Sequence, residues 1–388
     1  MGILSIGEPA PWFVAPTSSN PKYHFGSVAG RYVLLSFLRS SQDSDSQIVL
    51  ESIAQHREVF DDHNCCFFGV STDLEDQLQG RLIEQIPGIR FFWDVNCSLS
   101  QQFGVIDKTG HYHSCTYLLD ERLRVLAVLP IQPQPHTHIP QLLDIVADLP
   151  DLPQGSAAVQ APVLIIPRIF EPELCQALIA YYDQRGGEVS GFMRDVGGKT
   201  VQILDSSFKR RQDEEILDQN LRNAAMFRIH DRLVPEIAKA FQFQATRIER
   251  HIISCYDSVT GGFFRPHRDN TTRGTAHRRF AVSLNLNTGA YDGGLLRFPE
   301  FGRQTYSAPA GGAVVFSCSL LHEATPVTAG RRYAYLPFLY DDAAAQVREQ
   351  NQHFLDHPSN ERSVSSEPQP QNKGNRGFKP IVRSKQKP

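Results

Sequence analysis

Short apolar runs alternate with a longer amphipathic segment in the first 150 residues. YVLLSFL (residues 32–38) and NCCFFGVSTD (residues 64–73) are nearly continuous apolar runs, which are typical of buried strands. SQIVLESIAQHREVF (residues 46–60) has apolar residues at helical spacing, and CTYLLDERLRVLAVLP (residues 115–130) predicts two strands around a turn. This order predicts an α/β domain with a partly parallel sheet over residues 1–147.

A different pattern follows a stretch rich in Pro, Ser, Ala and Gly, and we interpret residues 148–162 as a linker. Two helical patterns come next, PELCQALIAYYDQR and NLRNAAMFRIHDRLVPEIAKAFQ. From Glu249 onward, short apolar runs are separated by Gly, Pro, Asn and Asp, which predicts a β sandwich or barrel. The second domain is therefore expected over residues 163–343. Residues 344–388 are polar and Pro-rich, and we expect a disordered tail there.

Composition narrows the choice of partners. The net charge of −3 is small, and no apolar run approaches the 18 or so residues of a membrane span. We therefore expect neither nucleic acid nor a membrane as the main partner. The seven cysteines are scattered and odd in number, which indicates a reducing compartment, and we expect a cytoplasmic protein.

The motif FFRPHRDNTTRG (residues 263–274) contains His-Arg-Asp, the tripeptide of the protein kinase catalytic loop. A kinase needs an Asn five residues after this Asp, where the chain has Gly274. No Asp-Phe-Gly follows, and no Gly-rich loop with a strand lysine precedes it. These absences exclude a kinase.

His267 and Asp269 are two residues apart, so on a strand both side chains face one side. One imidazole and one carboxylate are two of the three ligands in the 2-His-1-carboxylate site of Fe(II) oxygenases. His322 follows a buried strand and can supply the third. Arg332, ten residues later, can bind the far carboxylate of a 2-oxo acid, while Arg331 faces outward by strand alternation.

Five segments around these residues resemble the Fe(II)- and 2-oxoglutarate-dependent dioxygenases of the prolyl 4-hydroxylase type: CYDSVTGGFFRPHRDN, RRFAVSLNLN, GGLLRFPEF, PAGGAVVF and LHEATPVTAGRRYA. They stand in that family's order and spacing. The resemblance implies a double-stranded β-helix, or jelly-roll, with supporting helices. It also implies His267, Asp269 and His322 as metal ligands and catalytic residues, and Arg332, Tyr256 and Asn287 as residues that bind the cosubstrate. The chain departs from the family at Asn285, where several members carry a tyrosine.

The activity that this resemblance implies is hydroxylation of a C–H bond, with Fe(II), 2-oxoglutarate and O2, and with release of succinate and CO2. The expected substrate is a prolyl residue in a protein or peptide. A free amino acid or small metabolite is the alternative substrate, and a non-catalytic binding module with a degenerate redox domain is the alternative class. Two points stay open: whether L-ascorbic acid also binds, and whether the chain forms a homodimer.

The N-terminal segments GEPAPWF, GRYVLLSFL, FFGVSTD, FFWDVNCSLSQQFGVID and CTYLLDE resemble the peroxiredoxin branch of the thioredoxin fold. Peroxide reduction needs a reactive cysteine at the helix start after the first core strand. Ser46 stands near that place, so we expect no peroxidase activity. Cys65 and Cys66 are adjacent in one strand, and we expect only one of them to face the core. A thiol redox protein that depends on these cysteines is a further alternative.

Overall fold

The computed structural model of this 388-residue chain describes residues 2–152 and 160–355. The chain divides into two compact units, Met1–Ser156 and Ala157–Pro388. Residues 153–159 of the predicted linker and residues 356–388 of the predicted tail lie outside the described residues.

The first unit is built on a five-stranded sheet with the strand order β5-β4-β3-β6-β7. The three strands β5, β4 and β3 are parallel, whereas β6 and β7 are antiparallel to their neighbours. The strands are β1 (Val14–Ala15), β2 (Tyr23–His24), β3 (Tyr32–Arg39), β4 (Cys65–Ser71), β5 (Ile89–Trp93), β6 (Cys115–Leu119) and β7 (Val125–Pro130), and the helices are α1 (Ser44–Gln55), α2 (Leu74–Leu78), α3 (Ser98–Gln102) and α4 (Pro135–Ala147). This arrangement confirms the predicted α/β fold.

The sheet of the first unit is covered on both faces. Leu34 and Leu38 pack with Val49 of α1 on one face, whereas Val33 and Phe37 belong to the core on the other face. A strand covered on both sides reads as a continuous apolar run rather than an alternating one, which is why β3 was recognisable in the sequence.

The adjacent thiols of β4 are both buried, Cys65 in one core and Cys66 in the other. Our expectation that only one of them faces the core is therefore wrong. It assumed a sheet with one buried face, whereas strand alternation here delivers each thiol to a different buried face.

The described residues of the second unit form two large sheets and a separate two-stranded hairpin of β10 and β11. The larger follows the path β14-β24-β17-β23-β15-β13-β9, with β21, β8 and β18 joined at its side, and the smaller has the order β12-β16-β22-β19-β20. The strands are β8 (Leu164–Ile166), β9 (Glu188–Val189), β10 (Phe192–Val196), β11 (Lys199–Ile203), β12 (Lys209–Arg210), β13 (Gln212–Glu215), β14 (Arg247–Glu249), β15 (Ile252–Asp257), β16 (Phe263–His267), β17 (Phe280–Asn285), β18 (Tyr291–Gly293), β19 (Leu296–Arg297), β20 (Thr305–Tyr306), β21 (Ala313–Ser317), β22 (His322–Ala324), β23 (Val327–Tyr335) and β24 (Phe338–Tyr340). The two sheets form the expected jelly-roll.

Helices α5 (Pro172–Arg185), α6 (Gln219–Arg228) and α7 (Val234–Phe241) support the larger sheet. They share a core with Tyr333 and Tyr335 of β23. Because side chains alternate along a strand, Arg332 points to the opposite face. That face is the interior of the jelly-roll.

The second predicted helix is not regular. A π-helical turn, Ile229–Leu233, separates α6 from α7. Pro235 lies in the first turn of α7 and has no N–H to donate to the carbonyl four residues earlier, so the regular hydrogen-bond ladder is interrupted here.

The expected disorder from residue 344 is wrong at its beginning. Helix α8 (Asp342–Asn351) continues the chain, followed by a 3-10 turn at Gln352–Phe354. The Asp341 side chain caps this helix by accepting a hydrogen bond from the Ala344 N–H at 2.9 Å, and Ala344 is buried. A cap and one buried contact order this polar segment despite its composition.

Candidate active site

A cavity of about 620 Å³ lies between the two sheets of the second unit. The smaller sheet contributes His267 from β16 and His322 from β22, and the larger sheet contributes Tyr256 from β15, Ser283 from β17 and Arg332 from β23. The site therefore depends on side chains that are far apart in the sequence and on both sheets.

Three predicted ligands converge at one end of this cavity. The ligand atoms of His267, Asp269 and His322 all lie within 4.8 Å of one another. Nε2 of His267 lies 3.6 Å from a carboxylate oxygen of Asp269, and Nε2 of His322 lies 3.3 Å from the other. Cross-strand pairing of the two histidines brings the imidazoles together, with ring centroids 4.3 Å apart.

Hydrogen bonds fix the tautomer of both histidines. Nδ1 of His267 lies 2.7 Å from the Arg265 carbonyl oxygen, and Nδ1 of His322 lies 3.0 Å from the Leu320 carbonyl oxygen. Because a carbonyl oxygen only accepts, each Nδ1 carries the proton and donates. Each Nε2 then presents a lone pair toward Asp269, which is the arrangement of a metal-binding histidine with its second nitrogen anchored. This donor set of two nitrogens and one carboxylate fits Fe(II).

The surroundings favour uncharged imidazole at the site. Burial, followed by the facing His322, lowers the pKa of His267 to about 3. Phe264 also stacks on His267, with a centroid separation of 3.5 Å. The ring is therefore held in place and in its metal-binding form at neutral pH.

Asp269 reaches the site by a different route from the one predicted. It lies two residues beyond the end of β16, in a turn, and its backbone N–H donates to the Cys318 carbonyl oxygen at 3.0 Å. The turn, rather than strand alternation, aims the carboxylate.

Arg332 lies in the same cavity and is 2% exposed. Its guanidinium donates to Ser283 Oγ at 2.7 Å and to Asn285 Oδ1 at 2.9 Å. Asn285 is the position that departs from the family pattern, and here it orients the arginine. Within the described residues no carboxylate forms an ion pair with Arg332, which leaves its charge available for an anionic ligand.

The two remaining predicted residues, Tyr256 and Asn287, differ in their position relative to the cavity. Tyr256 is buried and lines the cavity, with its ring centroid 5.2 Å from Arg332 Cζ. Asn287 does not line the cavity. Its side chain donates to the Arg331 carbonyl oxygen at 2.8 Å and accepts from the Tyr333 N–H at 2.9 Å. We therefore correct its assignment from cosubstrate binding to support of the β23 backbone beside Arg332.

Sequence reasoning missed the cationic wall of the cavity. Lys209, Arg211 and Asp213 lie on or between β12 and β13, and all three line the cavity. The strands are very short and polar, so they lack the apolar run that marks a buried strand. The charged sequence KRRQDEE (residues 209–215) was the one indication of these strands, but such a sequence is equally typical of a solvated loop.

In the first unit, the buried Ser46 lies in the first turn of α1 and donates to the Leu38 carbonyl oxygen. Burial raises the pKa of Cys65 to about 12 and raises that of Cys66 further. Neither thiol has the exposure or the lowered pKa of a reactive cysteine.

No helix in the described parts of the chain combines the length and apolar character needed to cross a bilayer.

Known proteins resemble both parts of the chain. A PKHD-type hydroxylase of Synechococcus sp. (strain JA-2-3B'a(2-13)) is 32% identical over 139 residues, which are 34% of this chain and 56% of that protein. The PKHD-type hydroxylase PiuC of Pseudomonas aeruginosa is 27% identical over 205 residues, covering 50% of this chain and 83% of the relative. The chain thus spans little more than half the length of the Synechococcus relative.

Among solved structures, a Pseudomonas putida prolyl-4-hydroxylase aligns with 46% of this chain and 93% of its own, at 22% identity and a TM-score of 0.36. Residues 6–128 match the model of the AhpC/TSA family, and residues 252–340 match the model of the 2OG-Fe(II) oxygenase superfamily. The latter range contains every predicted metal ligand. The C-terminal part of the chain is therefore similar to the 2OG-Fe(II) oxygenase superfamily, and the N-terminal part is similar to the AhpC/TSA family.

Proposed function

We propose that the C-terminal unit is an Fe(II)- and 2-oxoglutarate-dependent dioxygenase that hydroxylates a C–H bond. The observation that carries this proposal is the convergence of His267, Asp269 and His322 within 4.8 Å, with both Nε2 lone pairs facing the carboxylate. When bound, Fe(II) and 2-oxoglutarate supply the oxidising power that places an oxygen atom from O2 on the substrate, with release of succinate and CO2.

The residues of the chain would bind and orient the metal and 2-oxoglutarate and shield them from water. His267, Asp269 and His322 would hold the metal through two imidazole nitrogens and one carboxylate. Arg332, fixed by Ser283 and Asn285, would bind the far carboxylate of 2-oxoglutarate through charge-assisted hydrogen bonds from its remaining N–H groups. Burial of this guanidinium strengthens that interaction, because few waters compete for it.

The proposed substrate is a prolyl residue of a protein or peptide. Support comes from the resemblance of five segments to prolyl 4-hydroxylases and from relatives named PKHD-type hydroxylases. A fold and a metal site do not fix the substrate, so a free amino acid or small metabolite is the second candidate. The intact ligand set argues against a non-catalytic binding module.

For the N-terminal unit we propose a role other than peroxide reduction, such as binding of a partner or substrate, or dimerisation. Ser46 has no redox chemistry with peroxide, and Cys65 and Cys66 are buried with raised pKa values. Peroxide consumption that disappears in Cys65→Ser or Cys66→Ser would contradict this proposal.

The test of the dioxygenase is an anaerobic titration with Fe(II) and 2-oxoglutarate, followed by a screen for succinate release over prolyl peptides and free amino acids. We expect His267→Ala and Asp269→Ala to abolish succinate release. His230→Ala is the matched control, because His230 does not line the cavity and should keep full turnover. Turnover that persists in His267→Ala would refute the assigned ligand set.

A further inference from the structure

The cavity carries more positive charge than its metal and cosubstrate sites use. Among the residues that line it, lysines and arginines outnumber carboxylates by seven to three. Asp269 is committed to the metal and Arg332 to the cosubstrate. Arg268 pairs with Glu300 and Arg278 with Glu249, so these two cations are already neutralised.

Lys209 is the clearest unbalanced cation. It is 5% exposed, and within the described ranges its ammonium donates to two neutral groups, Ser190 Oγ at 2.7 Å and the Gly191 carbonyl oxygen at 2.6 Å. Among the described residues no carboxylate lies within ion-pair distance of it. Burial, and then the neighbouring Arg211, hold the pKa of Lys209 well below its usual value, and the attraction of Asp213 and Asp269 offsets this only in part.

Arg211 adds an unsatisfied donor next to it. This side chain is 7% exposed and pairs with Asp213 at 2.6 Å, but in the described part of the chain its buried Nε has no hydrogen-bond partner. A buried donor left unpaired costs free energy comparable to a lost hydrogen bond, so such a group in a cavity points to a ligand.

Lys209 and Arg211 lie close to the residues of the proposed metal site. The Lys209 ammonium lies 4.8 Å from the centroid of the Phe264 ring, and the same ring stacks on the metal ligand His267. Arg211 Cζ lies 5.8 Å from the Tyr256 ring, which Arg332 also approaches. The pair therefore lines the same cavity as the metal ligands but lies on a different strand segment from Arg332.

Arg250 reinforces the positive wall. It lines the cavity, and its Nε donates to a backbone carbonyl, that of Leu336. Its backbone has a φ of 55°, a left-handed conformation that is uncommon for a non-glycine residue and clusters at functional sites.

We propose that Lys209 and Arg211 form a second anion-binding subsite, which binds a carboxylate of the substrate to be hydroxylated. This inference rests on the proposed dioxygenase function and narrows its substrate class. A carboxylate is the anionic group common to both candidate substrates, as the α-carboxylate of a free amino acid or as an acidic side chain or C-terminus of a peptide. Arg211 Nε and the Lys209 ammonium would supply the charge-assisted donors.

The test uses the full chain loaded with Mn(II), which replaces Fe(II) without turnover, and saturated with 2-oxoglutarate. One arm titrates free L-amino acids against their amides, and the other titrates prolyl peptides carrying Glu against the same peptides carrying Gln. Calorimetry or ligand-observed NMR gives the Kd. We expect the acid to bind about tenfold or more tightly than its neutral partner in one arm, since hydrogen bonds to charged groups differ from neutral ones by this order.

Lys209→Met should remove that preference, and Lys209→Arg should restore it. Among the described residues Lys209 forms no direct ion pair, so its removal breaks no buried salt bridge, whereas removal of Arg211 breaks its pair with Asp213. Arg210→Gln is the matched control, because its exposed side chain bonds Ser206 and Thr260 outside the cavity.

Equal binding of acid and neutral partner in both arms overturns the inference. So does a loss of 2-oxoglutarate affinity in Lys209→Met as large as that in Arg332→Gln, because these cations would then belong to the cosubstrate site. Failure of the unaltered protein to bind 2-oxoglutarate at all refutes the proposed function and this inference with it. Binding of 2-oxoglutarate without an acid preference refutes the inference alone.

Discussion

Two adjacent arginines on β23, Arg331 and Arg332, show how the position of a residue in a strand determines whether its side chain is exposed or faces the cavity. Arg331 pairs with Asp257 at the surface and its side chain is 58% exposed, whereas Arg332 is buried beside Ser283 and Asn285. Alternation of side chains along a strand separates them completely. Only the buried guanidinium can bind a carboxylate away from competing water.

Replacing Arg332 with Gln should raise the KM for 2-oxoglutarate roughly tenfold to hundredfold, because about 1.5–3 kcal/mol of charge-assisted hydrogen bonding is lost. Steady-state succinate release at varied 2-oxoglutarate measures this. Arg331→Gln is the control and should leave the KM unchanged. An equal rise in both variants would contradict the assignment of Arg332.

At this scale the sequence brought the proposed metal ligands, Arg332 and Tyr256 together, and all of them line one cavity, whereas Asn287 does not line it. A resemblance carries a residue type to a position, but it does not report the direction of the side chain. Asn287 follows the end of β17, and its amide turns to the backbone of β23. Only coordinates show that choice, because an Asn near a strand end bonds a backbone or a ligand equally well.

Elements of the chain were predictable in proportion to their apolar content. β3 and β4 are continuous apolar runs and were recognised, whereas the hairpin of β10 and β11 and the short strands β12 and β13 were not. These strands are partly exposed and polar. β10 pairs with β11, whereas β12 and β13 are fixed by pairing with β16 and β15, which are distant in sequence. The missed elements supply the cationic wall, so the least predictable part of the fold carries the proposed substrate specificity.

Two glycines in the first unit allow a matched test of backbone strain. Gly88, just before β5, has a φ of 99°, and a Cβ there would lie 2.4 Å from the Phe60 backbone. Gly110 has a φ of 83° and nothing within 4 Å of such a Cβ. Both positions strain an alanine, but only Gly88 adds a clash with backbone.

We expect Gly110→Ala to lower the free energy of unfolding by about 1 kcal/mol, the cost of a left-handed alanine. Gly88→Ala should lower it by roughly 3 kcal/mol or more, because the Phe60 backbone must move. Denaturant unfolding of both variants measures the difference. Similar losses would show that the clash relaxes at little cost.

For the whole molecule, the two units can be observed separately. Both tryptophans, Trp12 and Trp93, belong to the first unit, so tryptophan fluorescence reports its unfolding alone. Succinate release reports on the second unit. A chain with two compact units need not unfold in a single transition, and the two readouts can test this directly.

The first unit should lose stability in mild acid because of His138. This residue is buried against Thr116, and burial lowers its pKa to about 4. Above pH 6.5 it is neutral in both states and contributes nothing. Between pH 6.5 and 4 the imidazole of His138 binds a proton in the unfolded chain but not in the folded chain. The free energy of unfolding therefore decreases as the pH is lowered.

The expected loss attributable to His138 is about 2 kcal/mol between pH 7.5 and 5. Fluorescence-monitored urea unfolding at both values measures it. His138→Gln should lose less stability over this interval than the unaltered chain, whereas the exposed His136→Gln should behave like the unaltered chain. The same pH dependence in all three proteins would exclude His138 as the cause.

Thiol accessibility gives a further prediction for the whole chain. Of the seven cysteines, six are buried and Cys97 is partly exposed. A thiol reagent should therefore modify about one cysteine quickly in the native protein and all seven after denaturation. Rapid native modification of Cys65 or Cys66, identified by mass spectrometry, would contradict their burial on the two faces of the sheet.

The residues of the proposed active site come from two different sheets, and this has a consequence for heat stability. The proposed metal ligands lie on the smaller sheet and in the turn that follows β16, while the guanidinium proposed for the cosubstrate lies on the larger sheet. A slippage of one sheet against the other that leaves every strand intact would still pull these groups apart. Heat inactivation should therefore precede the loss of β-sheet signal in circular dichroism, and joint occupancy by metal and 2-oxoglutarate should delay it by fastening the sheets together.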